Sequence, residues 1–189
     1  MEGLINRSLE SFLRGSYGDA LWQDVVLRAG IGPRELLALT GPQLHVTRRL
    51  VIAAARQLEK SPGEVLEDMG GWLARLEPIR RLLRFSGPDF SEFVLSLDEL
   101  PGRARLILPD LAVPDVTVTR LGRGGFRIGS KRMGRGWIWA LAGMLRGMAD
   151  DYGTLALIMV AGNWITLSIV LEDHGTSRPF ALAPEGAER

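Results

Sequence analysis

Residues 116–132, VTVTRLGRGGFRIGSKR, decide the fold class. Val116 to Leu121 alternates β-branched and polar side chains with a period of two, the pattern of a half-buried strand. Gly122 to Gly125 (GRGG) then supplies a turn, and the stretch from Phe126 reads as a second strand pairing back on the first. Upstream, the period is helical. Leu4, Ile5, Ser8, Leu9, Phe12 and Leu13 keep one stripe, and GSYGDALWQDVVLRAG starts another helix after a Gly-Asp turn. IGPRELLAL reads as a short helix or loop. HVTRRLVIAAARQLEK follows as a helix with Leu50, Val51, Ala54 and Leu58 on one face. SPGEVLEDMGGWLARLEPIRRLLRFSG opens with Ser61 as N-cap, Pro62 at the first helical position and Glu64 completing a capping box. The Gly70-Gly71 pair inside it marks a bend or a close backbone approach.

Downstream of the hairpin, GWIWALAGMLRGMADDY returns to helix and stops at Gly153, a C′ glycine. TLALIMVAGNWITLSIVLED adds two more strands across Ala161-Gly162-Asn163. The expected architecture is therefore α+β, a helical N-terminal half followed by a β-β-α-β-β unit with a four-stranded antiparallel sheet. We expect one domain over residues 1–173, with a helical subdomain to about 65 and a sheet-bearing one over about 66–173. Residues 174–189 read as a loosely ordered tail.

The chain has 189 residues, 46% of them hydrophobic, enough for a substantial core. Its 23 basic and 22 acidic residues leave a net charge of +1, so no broad field favours nucleic acid or an anionic membrane. Lys60 and Lys131 are the only lysines, and 23 less 2 leaves 21 arginines, spread along the chain as compositional bias would spread them. The absence of cysteine excludes disulfides, thiolate nucleophiles and cysteine-held metals or clusters. MEGLINRSLESF lacks a signal-peptide core, and the longest apolar run, Leu155 to Gly162, is too short to span a bilayer. A soluble, cytoplasmic protein is expected.

No constellation for catalysis stands out. GRGGFRIGS lacks the strand–GxGxxG–helix context and any P-loop lysine, so a hairpin turn accounts for its glycines. His45 lies near a helix start, as a capping or exposed histidine would. His174 beside Asp173 has no nucleophile or oxyanion site near it in sequence. Asp150-Asp151 and Glu172-Asp173 read as solvated carboxylates at element ends. Trp137 and Trp139, two apart on a helix, face different ways, one into the core and the other onto the sheet or a partner. Met69, Met144 and Met148 read as core filling.

The order of these segments resembles the heme nitric oxide/oxygen-binding (H-NOX, HNOB) family, the sensor domain also found in soluble guanylate cyclases. MEGLINRSLESFLRGSYGDALWQDV is similar to its N-terminal pattern, including Gly3, Tyr17-Gly18 and Trp22. LVIAAARQLEKSPGEVLEDMG resembles its middle helices, PDFSEFVLSLDEL the run into the proximal ligand, and LPDLAVPDVTV the segment after it. The resemblance covers residues 1 to about 173. In the family a histidine follows the L-D-x-L run and binds the iron. Here that run is Leu97-Asp98-Glu99-Leu100, and the next residue is Pro101. The family's Y-x-S-x-R signature reads Ile128-Gly129-Ser130-Lys131-Arg132, with tyrosine lost and Ser130 and Arg132 kept. Pro114 matches the proline pressing on the proximal heme face, Ile5 and Leu9 match distal positions, and Leu73 matches a further wall position.

The resemblance thus implies a non-enzymatic sensory module with a degenerate heme site. It implies weak heme binding through Ser130, Arg132 and apolar walls, or another flat or elongated apolar ligand with an acidic end. The alternative is a heme-free interaction scaffold with a filled pocket and an exposed tryptophan patch. An enzyme would need a convergent polar cluster that the sequence does not offer. By resemblance the partner is a separate signalling protein, a diguanylate cyclase or histidine kinase.

Overall fold

The computed structural model describes residues 2–32, 35, 44–102, 115–130 and 134–171. Helices α1 (Glu2–Tyr17), α2 (Asp19–Arg28), α3 (Leu44–Gln57), α4 (Pro62–Arg75), α5 (Glu77–Arg84) and α6 (Phe90–Leu95) precede the sheet. Strands β1 (Thr117–Gly122) and β2 (Gly125–Gly129) form the first hairpin, α7 (Arg135–Asp151) crosses over, and β3 (Leu155–Ala161) and β4 (Trp164–Leu171) form the second. All pairs are antiparallel in the order β1-β2-β4-β3, so the second hairpin docks through β4 and leaves β1 and β3 at the edges. The α+β reading and the four-stranded antiparallel sheet are both borne out. Most of IGPRELLAL, Lys131 to Met133, and His174 with the tail lie outside the described residues.

Local signals explain the boundaries. Ser61 Oγ accepts from Glu64 N–H and the Glu64 carboxylate accepts from Ser61 N–H at 2.7 Å, the capping box expected at the start of α4. Gly153 has φ 68°, the left-handed conformation that ends α7. The stretch over residues 61–87, read as one helical segment, is two helices. The break falls at Leu76, which is extended (φ −67°, ψ 123°), and Pro78 lies in the first turn of α5, where its missing N–H is harmless.

Gly70 marks a close approach and no bend. A Cβ there would lie 1.9 Å from Ala140 O, and one on Gly143 would lie 1.8 Å from Glu67 O. The backbones of α4 and α7 therefore touch, which only hydrogen in place of a side chain permits. Around this seam lie two apolar clusters. One gathers Phe90, Phe93, Leu97, Phe126, Ile128, Ile138, Leu145 and Ile165 under the sheet. The other gathers Ile5, Leu9, Leu13, Trp22, Leu50 and Val65 among the N-terminal helices. Helix α4 serves both, with Val65, Leu66 and Met69 in the second and Ala74 in the first. Trp137 and Trp139 are both half-buried and both pack against both clusters. Both therefore fill space at the junction of the two clusters, and neither is reserved for the sheet or a partner.

Asp151 is a correction. Asp150 is exposed, but Asp151 is 5% exposed and accepts from Arg80 Nε at 2.6 Å. Arg84 Nε lies 3.8 Å from its other oxygen. Burial pulls the Arg80 guanidinium down, yet the bonds to Asp151 and Glu77 outweigh this and hold it above its ordinary value. Arg84 lies 3.9 Å from the Tyr152 ring centroid, and Tyr152 Oη donates to Gly87 O at 2.8 Å. A buried charge needs such a partner, since an unpaired one is far too unfavourable.

The glycine seam predicts that Gly70→Ala or Gly143→Ala lowers stability by about 3 kcal/mol or more, because backbone must move to admit the methyl. Gly102→Ala, with nothing within 4 Å of its added Cβ, should be neutral or stabilising. Urea midpoints of the three variants test this. Burial pushes the Tyr152 phenol up to about 12. Its neutral form is favoured by folding, so this contribution is fully present below pH 10 and is lost as pH rises towards about 12. The expected loss is on the order of 2 kcal/mol. Stability measured against pH should flatten over that window in Tyr152→Phe.

Candidate functional site

The run Leu97 to Pro101 folds in steps. Asp89 caps α6 by accepting from Glu92 N–H at 2.8 Å, and Ser96 Oγ turns back onto Phe93 O at 2.8 Å. A 3-10 turn, Ser96–Asp98, ends the helix. Glu99 is a turn residue, and residues 100–102 are helical again. Pro101 therefore stands in the first turn of a new helical segment. There its absent N–H is one of the donors a helix start leaves unpaired anyway. Pro101 thus interrupts no helix. Leu97 and Leu100 are 1% and 8% exposed, Pro101 is buried, and Asp98, Glu99 and Gly102 face out.

Ile128 is fully buried at the end of β2 and shares the sheet-side cluster with Leu97 and Leu100. Gly129 follows at φ 148°, and a Cβ on it would meet Asn163 O at 2.3 Å. Only glycine fits there, and it carries the chain out of the strand to the half-buried Ser130. Arg132 and Pro114, the other two residues singled out here from sequence, lie outside the described residues.

Ile5 and Leu9, 6% and 0% exposed, lie on α1, and Leu73 is half-buried on α4. All three belong to or pack against the N-terminal cluster. The structure thus brings Ile5, Leu9 and Leu73 together in one core, and Ile128 with the flanks of Pro101 in the other. The groups meet at the start of α7. A Cβ on Gly136 would lie 3.6 Å from Leu66 Cδ1 and 4.0 Å from Ile5 Cδ1. Next to it, Trp137 buries an indole N–H that has no hydrogen-bond partner.

Asn6 is a residue the sequence reading missed. It is 0% exposed, and neither its amide nitrogen nor its amide oxygen has a partner. Its place three residues before Leu9 and seven before Leu13, on the buried side of α1, was the available signal. Leaving a buried donor or acceptor unpaired costs about 1–3 kcal/mol each, so these atoms call for a polar partner.

Metal-binding side chains do not converge among the described residues. The His45 side chain is 68% exposed on α3, 4.0 Å from Glu35. Met69 and Met148 are buried in the apolar clusters, and Met144 is half-buried against one of them. Trp22 is buried and Trp72, Trp137, Trp139 and Trp164 are half-buried, so the tryptophans form no exposed patch. Among the described residues, no helix is long and apolar enough to cross a membrane.

The family model described as Haem-NO-binding (HNOB) matches residues 2–159. Solved structures agree in fold. An H-NOX protein from S. oneidensis in its Fe(II)NO state is 17% identical, over 92% of this chain and 100% of that one, with a TM-score of 0.70. A mutant H-NOX from T. tengcongensis is 13% identical, over 91% and 99%, with a TM-score of 0.68. An oxygen-binding H-NOX domain related to soluble guanylate cyclases, solved as its oxygen complex, is 14% identical, over 95% and 100%, at 0.62. The match over residues 2–159, with the fold these structures share, places this chain in the H-NOX family, whose members are heme-based gas-sensing modules.

Proposed function

We propose that the chain is a cytoplasmic, non-enzymatic H-NOX module with a degenerate heme site, signalling through a separate protein such as a diguanylate cyclase or histidine kinase. The observation carrying this reading is the buried Pro101 directly after Leu97-Asp98-Glu99-Leu100. A proline ring is saturated hydrocarbon with no lone pair for a metal, so the side chain at that position does not fit a protein-ligated iron. His45 is too exposed to substitute. What supports a surviving binding role is a set of apolar side chains, Ile5, Leu9 and Leu73 in one core and Ile128 in the other, together with the unpaired buried polar atoms of Asn6 and Trp137. Ser130, with Arg132 and Pro114, completes the proposed pocket by family resemblance, and Arg132 suits an acidic end on the guest.

The second reading is a heme-free scaffold with a closed pocket. It is favoured by the near-complete burial of Ile5 and Leu9 within one cluster. Partner signalling belongs to both readings.

Hemin titration followed by absorption separates these readings from an intact heme sensor. The wild type should show no stoichiometric Soret band of an axially ligated iron, and Pro101→His should gain one. A defined stoichiometric band in the wild type would overturn the degenerate site. In the ligand-free protein Asn6→Leu should raise stability by about 1 kcal/mol, because it removes an unpaired buried amide. A fall in the urea midpoint would mean that the amide is bonded and structural.

A further inference from the structure

A depression of about 620 Å³ opens between α6 and the turn end of the first hairpin, lined by Ser91, Arg120, Gly122, Arg123, Gly124 and Phe126. The register puts a charge where an apolar side chain is expected. Arg120 is the cross-strand partner of Phe126, and Val118 that of Ile128, so all four share the face of the sheet that carries the core. Phe126 and Ile128 are buried and Val118 packs against their cluster, but Arg120 is exposed. The depression keeps its guanidinium in water, 5.9 Å from the Phe126 ring centroid.

Charge narrows the occupant. Arg123 stands at the turn three residues on, also exposed. Among the described residues neither arginine pairs with a carboxylate, in contrast to Arg14, Arg49, Arg80, Arg81 and Arg146. Of the carboxylates near Ser91 in the chain, Asp89 is engaged by Glu92 N–H at 2.8 Å, and neither Asp89 nor Glu92 lines the depression. Two guanidinium groups favour a dianion over a monoanion, and their planar forks match phosphate oxygens. Ser91 adds a hydroxyl able to donate to the same group. Gly122, at φ 120°, leaves the wall open, since a Cβ there would meet nothing within 4 Å. The volume is far larger than a lone phosphate and falls among small-molecule sites of about 300–1,000 Å³.

We propose that this depression binds an organic phosphate monoester, with Arg120 and Arg123 on the phosphate dianion, Ser91 as a further donor and the organic body in the remaining space. None of the residues assigned to the pocket near Pro101 lines it, so it is a second site beyond the heme reading. A charge at an inward position of an edge strand also discourages pairing with another chain. That role accounts for Arg120 alone and gives no reason for Arg123 in the same wall.

The full chain is titrated with adenosine monophosphate and with ribose 5-phosphate, and in parallel with adenosine, acetate and inorganic phosphate, followed by amide shifts. Both monoesters should give saturable shifts at Ser91, Arg120, Gly122, Arg123 and Gly124, and adenosine and acetate none there. Arg120→Gln and Arg123→Gln should each weaken monoester binding roughly tenfold, the loss of one charge-assisted hydrogen bond. Arg127→Gln, on the opposite face of the same hairpin, should leave it unchanged. Thermal denaturation of the three variants checks that they remain folded. No saturable shift with either monoester at millimolar concentration would overturn the proposal. So would equal binding of acetate, or an equal effect of Arg127→Gln, which marks general charge attraction. Inorganic phosphate binding as tightly as the monoesters would also overturn it, because the organic body would then add nothing. Concentration-dependent association of Arg120→Gln without monoester shifts in the wild type would assign Arg120 to edge protection instead. Hemin absorption does not report on these residues, so either result can fail while the other holds.

Discussion

The backbone contact between α4 and α7 is the constraint on which the rest of the molecule depends. Gly70 faces the Ala140 carbonyl and Gly143 faces that of Glu67 at distances no side chain would allow. Because α4 belongs to the helical half and α7 lies under the sheet, this seam joins the two apolar clusters. It also places neighbouring groups. Arg146, on the next turn of α7, binds Glu67 on α4 and donates to Ile158 O of β3 at 2.7 Å, tying both helices to the edge strand. Trp137 and Trp139, one turn before the glycine, are drawn to the junction and cannot turn outward.

That geometry frames the region around Pro101. A helix breaker in an amphipathic stretch looks disruptive only if the stretch is one helix. Here α6 ends in a 3-10 turn, and the chain restarts with proline in its first turn, so proline is accommodated there at little conformational cost. The apolar flanks, Leu97 and Leu100, stay packed whatever occupies the next position. Packing of this segment therefore depends on Leu97 and Leu100 and not on the side chain that follows them.

Some of the site was legible in advance and some was not. The L-D-x-L run followed by proline, the Ile128–Arg132 remnant and the α1 stripe are local patterns, visible without coordinates. Asp151 and Asn6 were not. Asp151 looks like one of two terminal carboxylates until Arg80, 71 residues away, is seen to bury it. Asn6 looks like an ordinary polar interruption until its helix packs on every side and leaves the amide without a partner. Long-range pairing leaves no periodic trace, and helical spacing can put Asn6 on a buried face without showing that its amide lacks a partner.

By itself the sequence determined which segments are helix and which are strand, because hydrophobic period, caps and turn residues act over a few neighbouring positions. It determined the α+β order, the H-NOX likeness and the proline directly after Leu97-Asp98-Glu99-Leu100 for the same reason. Only the tertiary structure decided that Gly70 marks a contact and not a bend. Only there did Asp151 become a buried ion-pair partner and Trp137 an unpaired donor at the meeting of two cores. Each of these depends on distances between residues far apart in the chain, and burial, charge pairing and steric exclusion are properties of those distances.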